Sequence, residues 1–135
     1  MYACLDDVED IIDLMVEAHN ELVTYKYSRE KASKNVSRWI VDPKSLVLVN
    51  NNITACYILT FTESWYCTKP FISDMFLYSK TTGGGYRLVK DAQKWIKGWG
   101  DNVAGVLIST RDDAPIVDKI YKKLGYKIAG TKWQR

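Results

Sequence analysis

Residues 74–87 read DMFLYSKTTGGGYR, and this stretch decides the fold because a strand-like run passes through three glycines directly into a helix. Aromatic and β-branched residues predict a strand over residues 71–78. Residues 80–85 predict a glycine-rich loop, and apolar residues then recur at helical spacing from position 88 to 99. The stretch therefore predicts a strand–loop–helix unit of the kind found in α/β proteins.

Strands and helices continue to alternate after this unit. Residues 103–109 predict a strand that is apolar on both faces, which is typical of a central position in a sheet. Pro115 opens a predicted last helix and Gly125 ends it. Residues 126–133 predict a final strand. This alternation predicts parallel strand pairing in the second half of the chain.

The chain before the unit predicts two helices. Asp6 and Glu9 have the spacing of a capping box ahead of a helix whose apolar stripe ends near residue 23. Ser28 is suited to cap a second helix. Pro43 predicts the end of that helix, because the residue before a proline disfavours helical geometry.

The middle of the chain predicts a hairpin. Residues 45–49 and 53–62 are two apolar runs, and the three asparagines between them are a turn signal. A further short strand is expected over residues 2–4. No repeat, linker or low-complexity segment interrupts the pattern, so we expect one domain spanning residues 1–135.

Composition excludes several classes of protein. The chain has 135 residues, of which 47% are hydrophobic and 26% charged, so it predicts a folded domain rather than a disordered tail. No apolar run reaches the ~20 residues of a membrane span, and the N-terminus does not resemble a signal peptide. Three dispersed cysteines and one histidine predict no metal site and indicate free thiols in a reducing compartment, which favours the cytoplasm.

Charge is unevenly distributed along the chain. Residues 1–25 contain seven acidic and no basic residues, so the rest of the chain carries +10 although the whole chain is only +3. Two surfaces with different partners, or an acidic helix balanced by a basic remainder, explain this equally well. Lys90, Lys94 and Lys97 at helical spacing leave nucleic-acid binding as a third and weaker hypothesis, since no nucleic-acid motif accompanies them.

The glycine loop has the physical properties of an anion cradle. Glycines let the backbone approach a ligand closely, and unpaired N–H groups at a helix start favour an anion. Lys80 and Arg87 flank the loop, so it predicts a pyrophosphate site. No Gly-Lys-Ser/Thr or GxGxxG pattern is present, which disfavours a Walker A loop and a dinucleotide fingerprint. A flexible turn with no ligand is the alternative.

Nearly the whole chain resembles the GNAT superfamily of N-acetyltransferases, most closely small phage and bacterial GNAT-like proteins. The resemblance implies a single mixed central sheet of about six strands flanked by four helices. It is based on the element order and on local matches, of which the helix close IYKKLGY is the most specific. The matching segments are AHNE at 18–21, ESWY at 63–66, DMFLY at 74–78, KTTGGG at 80–85 and IYKKLGY at 120–126.

The resemblance implies an acetyl-CoA-dependent N-acetyltransferase in which a primary amine attacks the thioester directly within a ternary complex. The acceptor would be a small molecule or a protein amine. The main chain of the central strand would bind the pantetheine arm, and the glycine loop and helix start would bind the phosphates. The implied acetyl-CoA-binding residues are Phe76, Leu77, Tyr78, Lys80, Thr82, Gly83, Gly84, Gly85, Tyr86 and Arg87.

The resemblance also implies a proton donor and a proton acceptor. Tyr121 is the candidate acid for the leaving thiolate, although its spacing also fits a core tyrosine. Glu63 is the candidate base, and a solvated carboxylate is the alternative. Asp74 is a second candidate base. His19 has a suitable intrinsic pKa but lies on an apolar helix face, which is more typical of a packing role.

The acceptor pocket is expected between the first two helices and the aromatic segment. Phe61, Trp65 and Tyr66 would form an apolar wall, and Glu17 and Glu21 would attract a cationic amine. The alternative is that the aromatic residues belong to the core and the acids face water.

Two features depart from the family pattern. The loop is short and has neither the usual proline nor the usual arginine, and Ala114 replaces a frequent asparagine. The alternative function is therefore a catalytically silent GNAT-like structural or interaction protein, such as a phage virion component. A homodimer or assembly into a larger complex is expected from the resemblance, in the cytoplasm, or in a host cell or virion if phage-encoded.

Overall fold

The computed structural model describes residues 1–22, 28–81, 83–108 and 115–127. Two short 3-10 turns accompany the main elements, at Leu5–Asp7 and Gly100–Asn102. The helices are α1 (Val8–Leu22), α2 (Arg29–Val41), α3 (Gly84–Trp99) and α4 (Pro115–Lys123), and the strands are β1 (Ser45–Val49), β2 (Ala55–Thr62), β3 (Phe71–Ser79) and β4 (Gly105–Leu107).

The described strands form one mixed sheet in the order β1-β2-β3-β4. The first three strands pair antiparallel, and β4 joins β3 in parallel. The hairpin predicted at the three asparagines is confirmed, and Asn50 stabilises its turn by accepting hydrogen bonds from the N–H groups of Thr54 (2.8 Å) and Ala55 (3.0 Å). The structure therefore confirms a mixed α/β fold, with four α-helices in the part of the chain that it describes.

The prediction of about six strands is wrong for the described residues, which contain four. Tyr2 makes only an isolated bridge to Leu48, because the chain turns into a 3-10 helix at Leu5–Asp7. The predicted strand at 103–109 is shortened to β4, since Gly100–Asn102 forms a second 3-10 turn. Residues 126 and 127 belong to no strand, and the rest of the predicted final strand lies outside the described residues.

Helix starts follow the predicted capping chemistry in one case and not in the other. The Ser28 hydroxyl accepts a hydrogen bond from the Lys31 N–H at 3.3 Å, as predicted. The predicted capping box at Asp6 and Glu9 is wrong, because the helical turn begins earlier. Asp7 accepts from the Cys4 N–H at 2.9 Å. The Glu9 carboxylate instead contacts the Arg29 guanidinium on α2 at 2.6 Å.

The sheet separates two hydrophobic clusters, because successive residues of a strand point to opposite faces. Helices α1 and α2 cover one face, and α3 and α4 cover the other. The α1/α2 cluster contains the buried residues Val8, Ile11, Ile12, Leu14, Val36, Val47, Val49, Cys56 and Ile58. The α3/α4 cluster contains the buried residues Leu46, Leu48, Ala55, Tyr57, Leu59, Ile72, Leu88, Val89, Ala92 and Tyr121.

Two further observations concern the described residues alone. None of the helices there has the length and apolar character needed to cross a bilayer. No group of three or more His, Cys, Asp or Glu side chains in these ranges is arranged to hold a metal ion.

Candidate active site

Strands β3 and β4 pair over three residues each within the described ranges. Residues 71–73 of β3 pair with residues 105–107 of β4, whereas residues 74–79 of β3 pair only with β2 within the described ranges. We call this part of β3 the open edge, because no described strand lies beside it opposite β2, and an extended ligand would have to lie along it. Such a ligand would use the same hydrogen-bond pattern as an added strand.

A β-bulge in β3 directly follows the residues that pair with β4. Ile58 pairs with Phe76 and Leu59 pairs with Asp74, so Met75 is an extra residue with no partner on β2. Because of this extra residue, side chains before and after Met75 no longer alternate regularly between the two faces of the sheet. Asp74, opposite Leu59, lies on the α3/α4 side although Phe76 packs against the α1/α2 cluster. Without the bulge, Asp74 and Phe76 would share one face.

The glycine loop brings the start of α3 to the end of β3. Gly83 has a positive φ of 84°, a conformation that favours glycine. A Cβ on Gly84 would lie 2.6 Å from the Ser79 Oγ and 2.9 Å from the Thr81 Oγ1. The Ser79 hydroxyl cannot move away freely, since it donates to the Thr81 carbonyl at 2.6 Å. Gly84 thus allows a close contact between helix and strand that any side chain would obstruct.

The predicted phosphate-binding residues lie around this turn, with one difference. The N–H groups of Gly85 and Tyr86 lie at the positive end of α3, as an anion site requires, whereas the Gly84 N–H donates to the Thr81 carbonyl at 3.4 Å. Arg87 is exposed on the first turn. Lys80, however, forms an ion pair with Glu17 of α1, with Nζ and Oε1 2.8 Å apart. Thr82 lies outside the described residues.

Tyr121 is buried, and its hydroxyl faces the sheet. The side chain is 5% exposed, and its hydroxyl oxygen lies 3.0 Å from that of Tyr57 on β2. The Tyr126 ring packs edge-on against the Tyr121 ring at 5.3 Å. The Tyr126 hydroxyl donates to the Gln93 side chain at 3.3 Å. Tyr121 therefore belongs to the core and also carries a hydrogen-bonded hydroxyl on the face that Asp74 shares.

Burial raises the pKa of Tyr121 well above its ordinary value of 10, and the negative charge of Asp74 raises it further. The hydrogen bond with Tyr57 acts in the opposite direction and lowers this pKa. Burial also raises the pKa of Tyr57, with Tyr121 and Asp74 adding to the effect. Both hydroxyls consequently remain protonated at neutral pH, which is the state that a proton donor requires.

Glu63 is exposed and lies just beyond β2, which ends at Thr62. Along the chain it is six residues from Tyr57, whose hydroxyl contacts that of Tyr121. Asp74 is the carboxylate whose charge acts on both buried tyrosines. His19 is half-buried on α1. The roles of Glu63 and Tyr121 remain predictions.

The three side chains predicted to form an apolar wall do not lie together: Phe61 packs in the core, whereas Trp65 and Tyr66 are exposed. Phe61 packs into the α3/α4 cluster, with its ring 4.8 Å from that of Trp99. Trp65 is 95% exposed and touches Tyr66 edge-on at 5.3 Å. Glu17, expected to attract an amine, is already paired with Lys80, and the Glu21 side chain lies outside the described residues.

Sequence reasoning missed Tyr57 and the bulge at Met75. The strand predicted over residues 53–62 already placed Tyr57 on the same face as Leu59 and Phe61 by alternation. Its partner Tyr121 is 64 residues away in sequence, so their contact depends on the packing of α4 against the sheet. No local signal indicates the bulge, since Met75 is an ordinary strand residue in sequence.

No protein-family model matches the chain, and no curated protein sequence matches it. Solved structures do match over 100% of the chain. A probable acetyltransferase has a TM-score of 0.75 at 14% identity with 95% of its own chain covered. A transcriptional regulator from Bacillus halodurans C-125 has a TM-score of 0.75 at 17% identity with 96% covered. An aminoglycoside acetyltransferase from an uncultured soil metagenomic sample, in complex with sisomicin, has a TM-score of 0.64 at 14% identity with 94% covered.

These similarities establish the fold of the chain. The chain shares this fold with solved acetyltransferases, as the sequence resemblance implied. At 14–17% identity the likeness does not extend to substrates. The expected closeness to phage proteins receives no support from these structures.

Proposed function

We propose that this chain is an acetyl-CoA-dependent N-acetyltransferase that transfers an acetyl group to a primary amine by direct attack within a ternary complex. The observation that carries the proposal is the open edge of β3, which runs directly into the start of α3. One extended ligand with an amide-containing arm and a phosphate end matches that combination. The shared fold with acetyltransferases agrees with it.

The residues around the open edge fit acetyl-CoA. Main-chain groups of Phe76, Leu77 and Tyr78 would bond the pantetheine amides, as a neighbouring strand would. The N–H groups of Gly83, Gly84, Gly85 and Tyr86 would hold the pyrophosphate. Arg87 is exposed beside them, whereas Lys80 must share its charge with Glu17. Thr82, in the same loop, completes the proposed set.

Tyr121 is the proposed acid. When bound, acetyl-CoA supplies the activated acetyl group, and the amine acceptor needs no enzyme nucleophile. The Tyr121 hydroxyl holds a proton at neutral pH because burial raises its pKa. That proton would pass to the sulfur as the thioester carbon–sulfur bond breaks. Holding both substrates in place supplies much of the remaining rate increase.

Two carboxylates are candidates to accept the proton of the amine. Glu63 is exposed beyond β2 and would act directly or through a water molecule. Asp74 lies at the bulge, on the face of the buried tyrosines. Asp74→Asn and Glu63→Gln separate these roles, because loss of the base lowers turnover most at low pH, where the amine is protonated.

The test begins with the melting temperature in the presence of acetyl-CoA, with ATP as a control for general anion binding. Acetyl-CoA at ~100 times its Kd should stabilise the fold by about 2.7 kcal/mol, which raises Tm by roughly 5–10 °C. Thiol release from acetyl-CoA is then measured with spermidine, kanamycin and a lysine-containing peptide. No shift, or an equal shift with ATP, contradicts the proposal.

One observation favours the second candidate, a catalytically silent GNAT-like interaction protein such as a virion component. Trp65 and Tyr66 are 95% and 64% exposed, and together they form an aromatic surface patch. Aromatic side chains at a surface are typical of protein contacts. This alternative predicts a stable complex in solution that Trp65→Ser disrupts, together with no acetyl-CoA shift.

A further inference from the structure

Tyr57 is a buried tyrosine whose hydroxyl faces that of Tyr121 across 3.0 Å. We infer that Tyr57 is a positioning residue that holds the Tyr121 hydroxyl as a proton donor toward the open edge of β3. This inference rests on the proposed function, and it adds a residue that neither the sequence patterns nor the resemblance indicated.

The sheet holds Tyr57 more rigidly than α4 alone could hold Tyr121. Tyr57 lies in the middle of β2 and pairs with Leu48 on one side and Leu77 on the other. It is completely buried. A group anchored in a central strand is placed more exactly than one on a short helix. Because Tyr57 is fixed in the sheet, its hydrogen bond restricts the position of the Tyr121 hydroxyl.

Either hydroxyl can donate in this hydrogen bond, and the inferred role requires the direction in which Tyr57 donates. When Tyr57 donates, the Tyr121 oxygen accepts, and the Tyr121 proton is free to point to another acceptor. In the transfer step, the O–H bond of Tyr121 breaks, an S–H bond forms on the leaving thiol, and the negative charge moves to the Tyr121 oxygen. The Tyr57 O–H then faces that charge and stabilises it. The proton released by the amine restores Tyr121 through solvent.

Asp74 explains why Tyr121 needs this partner. The Asp74 carboxylate lies on the same face, and its charge opposes ionisation of Tyr121. Of the groups acting on Tyr121, burial, Asp74 and Tyr126 all disfavour the phenolate, whereas the Tyr57 hydrogen bond favours it. Removal of the Tyr57 hydroxyl thus removes the stabilising contact and retains the opposing ones.

The test compares Tyr57→Phe, Tyr121→Phe and the double variant, with Tyr126→Phe as matched control. Tyr126 touches the Tyr121 ring, but its hydroxyl bonds to Gln93 instead. With acetyl-CoA and the amine that releases thiol fastest, Tyr57→Phe should lower kcat about tenfold and leave the acetyl-CoA KM unchanged. The double variant should be no slower than Tyr121→Phe, because Tyr57 acts through Tyr121. Tyr126→Phe should stay within about twofold of the wild type.

A second measurement does not depend on activity. Each single variant leaves one buried hydroxyl without its partner, whereas the double variant removes both. Melting temperatures should therefore be non-additive, with the double variant melting no lower than Tyr57→Phe alone. The pair of Tyr126→Phe and Tyr121→Phe should instead be additive.

The outcomes separate this inference from the proposed function. Full turnover in Tyr57→Phe, with Tyr121→Phe impaired, overturns the positioning role and leaves the proposed function standing. A double variant slower than Tyr121→Phe, or additive melting temperatures, overturns it as well. Full turnover in Tyr121→Phe removes both the acid and its positioning residue. A wild-type protein that neither binds acetyl-CoA nor releases thiol contradicts the proposed function and, with it, this inference.

Discussion

The two faces of the sheet are built from different chemistry. The α1/α2 cluster is aliphatic apart from Cys56, and its surface carries ion pairs such as those of Arg29 with Glu9 and Asp13, at 2.6 and 2.9 Å. The α3/α4 cluster contains Tyr57 and Tyr121 among its buried residues, while aromatic side chains pack around both clusters. Among the described residues, the α3/α4 face thus buries a bonded tyrosine pair, whereas the α1/α2 face buries the smaller Ser45 hydroxyl, bonded to Thr60 at 2.7 Å.

This difference indicates that the two faces of the sheet have different roles, one in stability and one in chemistry. An aliphatic cluster stabilises by area removed from water and places no reactive group. Buried hydroxyls cost free energy unless each has a partner, so their presence next to an open strand edge indicates a use beyond packing. We therefore assign stability mainly to the α1/α2 face and chemistry to the α3/α4 face.

The largest expected effect comes from Ile58→Ala on the α1/α2 face. Ile58 is completely buried, so its truncation should lower the free energy of unfolding by about 2–5 kcal/mol. Because Ile58 points away from Tyr57, the Kd for acetyl-CoA should not change. Urea denaturation and calorimetric titration measure the two quantities. Ile58→Val is the control, with about 0.5–1.5 kcal/mol expected. Weaker acetyl-CoA binding in folded Ile58→Ala would contradict the division between the faces.

The next effect is the alkaline pH dependence of stability, which differs between the faces. Burial raises the pKa of Cys56 from 9.0 to about 12, so its stabilisation is present below pH 9 and is lost as pH rises above that value. The loss amounts to about 2 kcal/mol at pH 10.5. The raised pKa values of Tyr57 and Tyr121 add a loss that begins only above pH 10.

Urea denaturation between pH 8 and 10.5 measures this dependence. Cys56→Ala should remove the decline in the free energy of unfolding between pH 9 and 10. The decline above pH 10 that the two tyrosines cause should remain. Tyr57→Phe should leave the earlier decline in place. An unchanged slope in Cys56→Ala would show that its thiol is not held protonated by the α1/α2 cluster.

A smaller effect is expected from Gly84→Ala. The new Cβ would contact the Ser79 and Thr81 side chains at under 3 Å, so the start of α3 must shift away from β3. We expect acetyl-CoA affinity to fall about tenfold, since the N–H groups leave the end of the open edge. Gly98→Ala is the control on the same helix, because a Cβ added there would have no atom within 4 Å. Equal affinities in both variants would remove the glycine loop from the site.

The smallest effect tests the ion pair that joins α1 to the proposed site. Glu17→Gln removes the partner of Lys80 and should change stability by less than about 1 kcal/mol, because the ion pair is half-exposed. The free Lys80 should bind acetyl-CoA about two- to fivefold more tightly at low salt, and less so at high salt. Glu30→Gln, which removes the exposed pair with Lys34, is the control. Weaker binding in Glu17→Gln would contradict this arrangement.

Much of the fold could be predicted because its signals are local. The Ser28 cap, the asparagine turn, Pro115 at the start of α4 and Gly125 after it each depend on a few neighbouring residues. The resemblance added the acetyltransferase fold. The shift of the first cap from Asp6 to Cys4 and Asp7 shows that two adjacent acids cannot be distinguished by spacing alone.

The arrangement of the site was less predictable because it depends on contacts distant in sequence. The Lys80–Glu17 ion pair joins residues 63 positions apart, and the Tyr57–Tyr121 pair joins residues 64 apart. The Met75 bulge, which carries Asp74 to the side of the tyrosines, is a property of strand register. Sequence reasoning therefore predicted the loop, Tyr121 and Asp74 as candidate site residues, but not the contacts that join them to Tyr57 and Glu17.

The most direct test of the central assignment is amide hydrogen exchange measured with and without acetyl-CoA. The account predicts slower exchange at residues 76–79 of β3 and at residues 83–87, because a bound ligand would occupy their main-chain groups. It predicts no change in α1 and α2 beyond the contact of Glu17. Protection confined to the α1/α2 face, or none at saturating acetyl-CoA, would contradict the assignment of the site to the open edge of β3.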